Sequence, residues 1–593
     1  MMLAVLTLGL FGQPTDTMVK VDTVYLFSLP EHISNQGSKV INLKSGQSLG
    51  GSLANTAFFT KNYGPSGIST LGLRGTQATQ TQVIWHGIPI NSPMLGQTDL
   101  QTLNSNPMDQ ISLNQSANAS ALGSGAIGGS INISRNVEFN QGYKQSTWLG
   151  TGNLGAYQAG SQQAYSWKKT RIGAGASWST IANDHPIKLN GETQNLNNAS
   201  VTQASFNFNL AHKFVSNAML RTIVEFSHVL REIPKFSNNL DHNILDFKSQ
   251  RIMAEGLFGK KKLKHGFTAG YVQELYSFQI PLLQTDQSQS ALYHLKYWAK
   301  REIAKNLQTE IIAEYGYNKG TSAGYMVNTY QHQSLPAGVV SVTFSPNKWV
   351  LNVQNRYDIA TNKDIARLSA ETTVFGNRIY LNAGNTFRRP TLNELYWNSN
   401  SARNIKSETG IFAELGFGLK KKLYSLNLSG FARKMSNEII WIPNQNNTIP
   451  INLSQSHTEG MSIQAKVKQK IGDVNFEINT QQEIVNTLSR NTFSDQWNQT
   501  IFIPAYTQYT DIRASYKKLI ISSGLKYTSF TYTNQENTEV VDGFYLINIQ
   551  AEFNYKKWQI QGSMNNVNNQ IYYIIPSQQM PTRQMNIKLI YTI

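Results

Sequence analysis

Six residues, GSGAIG at positions 123–128, carry the spacing G-x-G-x-x-G. After a strand and at the start of a helix, that spacing lets backbone amides and a helix N-terminus cradle a pyrophosphate. The neighbours oppose that chemistry. Gly128-Gly129 is a poor helix start. Ser130 to Arg135 alternates in polarity, with Ile131 and Ile133 on one face, the period of a strand. An acid for the ribose is wanted about 20 positions on; Glu138 comes too early, and no other acid follows before Asp184. The glycines therefore read as a tight turn between strands. The 10 histidines show no metal or triad spacing, and no paired-acid site stands out, so the chain is not read as an enzyme.

The elements that must position such a turn are unlike those of soluble domains. The chain has 593 residues, too many for one ordinary core. Only 15% of them are charged, against about a quarter in a typical globular domain. Asn, Gln, Ser and Thr take their place, and aromatics reach 11%. There is no cysteine, which excludes disulfides and thiolate metal sites. The formal net charge is +17, but the lysines are dispersed in small clusters, and no nucleic-acid-binding signature accompanies them. No nucleic-acid partner is expected.

The start, MMLAVLTLGLFGQ, is a short apolar run that resembles the tail of a secretory signal peptide without its basic region. No later segment offers the roughly 18 apolar residues of a membrane-spanning helix. A membrane crossing would therefore require a closed barrel. From about residue 140 onward, segments of roughly ten residues alternate in polarity, as strands between lipid and a wet lumen do. Met585, Ile587, Leu589, Tyr591 and Ile593 share one face of the last segment, and Asn586, Lys588, Ile590 and Thr592 lie on the other. Tyr545, Ile547, Ile549, Ala551, Phe553 and Tyr555 repeat the pattern.

Basic or Asn-bearing clusters mark candidate short turns at 167–169, 212–213, 260–262, 300–301, 347–348, 377–378, 420–422, 468–470, 516–518 and 555–557. Most lie about 40 to 50 residues apart, two strands plus one longer loop. Such turns join eleven hairpins and predict an all-β membrane fold: an antiparallel transmembrane β-barrel of about 22 strands, in contact with outer-membrane lipid. Trp167, Trp298, Trp349 and Trp558 stand beside these turns, as an aromatic girdle would. The longer links, such as 183–200 and 530–542, would face outside. A barrel this wide carries a plug, and the Gly-rich first 135 residues have the texture of a small domain in the lumen.

The segments STLGLRGTQATQTQVIWHGIPINS and MDQISLNQSANASALGSGAIGGSINI resemble the plug of TonB-dependent outer-membrane receptors. The block Leu122 to Ile133 carries the most specific match. Within the barrel region, NTFRRPTLNELYW at 385–397 is similar to a strand motif of that family, Asn404 to Glu408 to the start of its next strand, and Asn566 to Tyr573 with Pro581-Thr582-Arg583 to its terminal motif. The compact plug resembles the cobalamin-receptor branch.

The resemblance implies a signal-peptide remnant and N-terminal tail at 1–19, a TonB box region at 20–30, a plug at 31–138 and a barrel at 139–593. It makes Asp22, Thr23, Val24, Tyr25 and Leu26 the TonB box, which would add a strand to the partner TonB. It makes Arg74 the plug–barrel lock, because the family's second plug arginine is replaced by Asn114-Gln115-Ser116. His86 stands where the family has Asp and reads as a turn residue. The apices at 61–67 and 91–97 would present Asn62, Tyr63, Ser66, Asn91, Met94, Leu95 and Gln97 to ligand. Tyr396 and Trp397 read as girdle aromatics or as ligand contacts.

The implied function is TonB-dependent active uptake of a scarce large nutrient across the outer membrane of a Gram-negative bacterium. The apices are mostly neutral, with hydroxyl, amide and apolar groups, which suits cobalamin or a related corrinoid better than an all-anionic chelate. A ferric siderophore or haem is the alternative, and a passive porin the alternative of another class, although a porin would need neither plug nor TonB box. A surface lipoprotein would be a further partner. No cofactor or resident metal is expected; Asp184 and Glu192 are the carboxylates that would serve a calcium ion in an external loop.

Overall fold

A computed structural model describes residues 39–42 and 48–593, apart from 104–108, 190, 197, 216, 235–241, 261, 281–284, 327–328, 400, 445–446 and 491–495. The expected TonB box, Asp22 to Leu26, lies outside the described residues. No helix among the described residues is long and apolar enough to cross a membrane.

Period-two alternation drives the larger part of the chain into antiparallel strands that close on themselves. The closed ring runs from Gly142–Gly152 to Gln584–Thr592, which pair with each other and seal it. Twenty-two strands form the wall; Trp497–Gln499 is a three-residue addition at the rim. Closure leaves no unpaired edge, which is the condition for burying strands in lipid. Met585, Ile587 and Leu589 point outward and are exposed, whereas Lys588 between them is buried in the lumen.

Ten links of two to four residues join the strands at one end. They fall within a few residues of the ten basic clusters. Three are displaced toward the preceding strand: His212-Lys213, Lys300-Arg301 and Lys468 to Lys470 lie on the last rungs of Val201–Val215, Asp286–Ala304 and Asn447–Ile471, whereas Asn377-Arg378 opens the strand after its turn. Long cationic side chains mark where strands leave the apolar layer, and the chain reverses within a few residues of them. This shift corrects one girdle expectation. Trp298 pairs with Gly266 on the lumen face, whereas Trp167, Trp349 and Trp558 are exposed on the wall. The longest strands, up to the 25 residues of Asn447–Ile471, exceed the roughly 9–11 needed to span a bilayer, so the wall rises unevenly at the long-loop end.

Inside the barrel sits a mixed five-stranded sheet. Its strands are β1 (Lys39–Asn42), β4 (Thr81–Trp85), β5 (Ile88–Pro89), β6 (Asp109–Asn114) and β7 (Gly129–Arg135), in the order β1-β6-β7-β4-β5. A separate pair, β2 (Thr60–Asn62) and β3 (Ser69–Leu71), carries the first apex. α1 (Leu49–Ala54) is capped by Ser48, whose hydroxyl accepts from Gly51 N at 3.1 Å. Val83, Trp85, Ile88, Leu100 and Ile131 form an apolar core that continues into Ile223, Met253, Val272 and Leu292 of the barrel wall. The domain is thus bonded to one side of the lumen by ordinary hydrophobic packing.

The GSGAIG stretch follows a short helix, α2 (Ala119–Leu122), and leads into β7, the reverse of a nucleotide loop. Gly123, Gly125 and Gly129 have φ of 87°, 89° and 147°. At Gly128 a Cβ would lie 2.4 Å from the Leu73 carbonyl oxygen. These glycines let β7 run parallel to β4 beneath the Arg74 turn. His86 and Gly87, with φ of 49° and 92°, make the two-residue turn between β4 and β5.

Candidate functional site

The plug and wall meet through buried polar contacts. Arg74, at φ 53° in a strained turn, donates to Glu414 Oε1 at 2.7 Å and to Ser429 Oγ at 2.9 Å, and its guanidinium lies 4.5 Å from the Phe431 ring. Arg433 of the wall donates to the Arg74 carbonyl oxygen at 3.2 Å and so holds the turn from the other side. Gln80 donates to Glu408 and to Glu438, at 3.0 Å each. Gln115, in the stretch where the family carries a second arginine, donates to Glu483 at 2.5 Å; Ser462 supplies another neutral donor. Further ties are Arg231 to Asp99 at 2.8 Å, Trp85 Nε1 to Glu225 at 3.2 Å and Ser120 to Gln354 at 2.9 Å. Sequence reading missed the wall partners. Their signal is a carboxylate on the lumen face of an alternating strand, as with Glu414 between the outward-facing Ala413 and Leu415.

The site expected at the apices divides. Tyr63 and Gln97 line one cavity of about 1080 Å³, open mouth included, together with Phe58, Phe59, Lys61 and Phe502. Tyr63 N donates to Ile68 O at 3.0 Å and closes the apex loop. Lys61 Nζ lies 3.8 Å from the Phe502 ring centre and 5.0 Å from that of Tyr63. Burial lowers its pKa from the ordinary 10.5 to about 8, and no carboxylate forms an ion pair with it among the described residues. Burial also raises the pKa of the Tyr63 phenol. Asn62 ends β2, with its Oδ1 buried.

The other expected contacts are used for fastening. Ser66 is buried and donates to the Glu232 carbonyl oxygen at 2.5 Å. Asn91 spans its own loop, donating to Thr81 O and Gly96 O at 2.9 Å each and accepting from Val83 N at 2.7 Å. Met94 is buried against Tyr325 and Leu392, with Tyr396 and Trp397 packed on the same cluster. Those two aromatics are therefore neither on the girdle nor free at the mouth. Leu95 alone of the second apex is well exposed, at 41%.

The motif NTFRRPTLNELYW forms the end of a strand and then a short helix, α3 (Leu392–Tyr396), not a strand throughout. The reason is local. Thr391 and Glu394 make a reciprocal capping box, at 3.2 and 2.7 Å. Arg388 grips Glu394 at 3.0 and 2.9 Å and Glu408 at 2.6 Å. Leu392 N donates to Pro93 O at 3.0 Å, so this barrel loop folds inward onto the plug apex.

Asp184 and Glu192 lie at opposite ends of the hairpin His185–Leu189 and Glu192–Leu196 and do not converge. No group of three His, Cys, Asp or Glu residues able to hold a metal occurs among the described residues. His86 is fully buried, and burial together with Arg135 and Arg221 holds its pKa well below 6.5.

Comparison with known proteins agrees with this architecture. Residues 97–567 match the family model "TonB dependent receptor-like, beta-barrel", and residues 26–130 match "TonB-dependent Receptor Plug Domain". The chain is 22% identical over 430 residues to the vitamin B12 transporter BtuB of Vibrio vulnificus, covering 68% of this chain and 67% of that one. It is 19% identical over 500 residues to BtuB of Photobacterium profundum, covering 81% and 79%. Among solved structures, the FrpB iron transporter of Neisseria meningitidis (F3-3 variant) superposes with a TM-score of 0.79 at 11% identity, over 93% of this chain and 97% of that one. The siderophore receptor PirA of Acinetobacter baumannii gives 0.79 at 11%, over 96% and 100%. The plugged 22-stranded barrel and both family matches lead to one conclusion: this chain belongs to the TonB-dependent receptor family of transporters.

Proposed function

We propose that this receptor takes up a corrinoid, cobalamin or a close relative, across the outer membrane of a Gram-negative bacterium. The carrying observation is the lining of the upper cavity. Phe58, Phe59, Tyr63, Gln97 and Phe502 offer aromatic faces and amides, with Lys61 the one lining cation that has no ion pair among the described residues. Arg74 also reaches this cavity, but its charge is matched by Glu414. A polyanionic chelate would favour several convergent free arginines. The relatives found by sequence similarity carry the name vitamin B12 transporter, which supports the same ligand class.

In this reading, Tyr63, Gln97 and exposed Leu95 meet ligand directly, and Asn62, Ser66, Asn91 and Met94 hold the apices in shape. Arg74 locks plug to wall. Asp22 to Leu26 pairs with TonB as an added strand, and work from the inner membrane displaces part of the plug. A surface lipoprotein would be an auxiliary partner at the long-loop end. Titration calorimetry of the purified chain with cyanocobalamin and with a ferric siderophore tests the ligand class. Heat from cyanocobalamin alone supports the proposal; heat from the siderophore alone replaces it with iron uptake.

A further inference from the structure

The plug does not meet the wall evenly. Its apolar core merges with Ile223, Met253, Val272 and Leu292 on one side. On the far side lies a second, polar cavity of about 1920 Å³, open end included. It reaches down to Lys466, Glu477, Arg513 and Glu552, all within a few residues of the short-turn links.

This lower cavity and the upper ligand cavity are stacked on the same two strands. On Val474–Arg490, Glu483 lines the upper cavity and Gln481 the lower; on Tyr506–Tyr516, Thr507 lines the upper and Tyr509 the lower. Side chains two apart share a face of a strand, so the two cavities meet consecutive inward rungs on each strand. The partition comes from the plug. Asn55 and Thr56 face the lower cavity, and Ala57, Phe58 and Phe59 face the upper.

That partition is held by Phe58, which packs in the plug core, by Phe59, which packs against Phe544, Ile574 and Met580, and by a few polar bonds to the wall. Lys526 Nζ, buried in the wall, donates to Ala54 O at 3.0 Å and Phe58 O at 3.4 Å. Ala54 ends α1, so its carbonyl lacks a helical partner and carries the negative end of the helix dipole. Asn548 donates to Asn55 Oδ1 at 3.0 Å. The partition also stands early in the chain, so tension applied from the N-terminal side reaches it before β4 to β7.

We propose that solute passes the plug along the wall formed by Val474–Arg490, Tyr506–Tyr516 and Leu519–Thr528, through a gate made of Asn55 to Phe59 that Lys526 latches. The gate opens by shifting this one segment, which withdraws Phe58 from the edge of the plug core and joins the two cavities, while the rest of that core stays packed on Ile223, Met253, Val272 and Leu292. The polar lower wall fits a hydrated solute. The proposal rests on the transporter reading but not on which ligand binds.

The test needs no ligand. Full-length Lys526→Met protein is placed in planar bilayers in potassium chloride. Loss of a charge-assisted latch should raise the frequency of conducting openings roughly tenfold over the unmodified chain. In that background, Asn55→Cys with Asn548→Cys is joined by a short bifunctional methanethiosulfonate; the chain has 0 native cysteines to interfere. Cross-linking should suppress the openings, and reductant should restore them. The control pair Ser120→Cys with Gln354→Cys, on another part of the plug, should leave them unchanged when cross-linked. Reversal within one folded population separates gating from misfolding. Openings that persist through the Asn55–Asn548 link, or that the control link suppresses equally, overturn the gate. A Lys526→Met protein that stays as closed as the unmodified chain overturns the latch. None of these outcomes bears on whether TonB drives uptake.

Discussion

Removing the Arg74 guanidinium should loosen the plug more than any other single truncation at its wall. Arg74 and Glu414 are both buried, and their 2.7 Å contact is the direct ion pair between the two layers at this turn. In Arg74→Ala the Glu414 carboxylate keeps Tyr380 OH at 3.2 Å and Asn382 Nδ2 at 3.3 Å, both neutral donors. Breaking a buried pair from one side costs about 3–5 kcal/mol. The surviving donors place the effect near the lower end, about 3 kcal/mol, or roughly a hundredfold in the local opening equilibrium. The double variant Arg74→Ala with Glu414→Ala leaves no buried charge stranded and should recover most of that loss. Native-state hydrogen exchange of β3 and β4, run as a double-mutant cycle, measures both quantities. A single-variant loss under about 1 kcal/mol, or a coupling near zero, would refute the lock.

Three further outcomes follow from the same geometry. Lys61 has a folded pKa of about 8 against an ordinary 10.5, so its burial penalty is present below pH 8 and is relieved as pH rises toward 10.5; plug stability should climb over that window, and Lys61→Met should flatten the climb in chemical denaturation. His86 is held neutral well below its ordinary 6.5, so stability should fall as pH drops below 6.5, while His86→Asn, which tolerates the left-handed turn, should remove that dependence from thermal melts. Gly128→Ala places a Cβ 2.2 Å from Thr76 Oγ1 and 2.4 Å from Leu73 O, and should destabilise the plug by at least about 1–3 kcal/mol, read as faster proteolysis of residues near 73–76 with the barrel intact.

The barrel was legible because lipid imposes a strict rule: each strand must alternate, and the rule repeats along most of the chain. Turn positions were less legible because basic residues mark the edge of the apolar layer and not the reversal itself, as Lys300-Arg301 and Trp298 show. The Gly-rich stretch was legible from its neighbours, since Ile131 and Ile133 fixed β7 while no helix could begin at Gly128-Gly129. The inward fold of the 389–407 loop was hidden. It depends on Thr391 and Glu394 capping each other and on Arg388 meeting Glu408 far along the chain. Lys526 and Glu414 were equally hidden, because a lumen-facing charge on an alternating strand looks the same whether it faces water or a plug.

In the proposed cycle, work delivered to the plug from its N-terminal side opens a sealed barrel. Uptake of labelled cyanocobalamin by cells carrying the chain with and without residues Asp22 to Phe27, measured beside surface binding, tests it most directly. The deletion should leave binding unchanged and abolish uptake. Uptake that survives the deletion at the level of the full chain would contradict it.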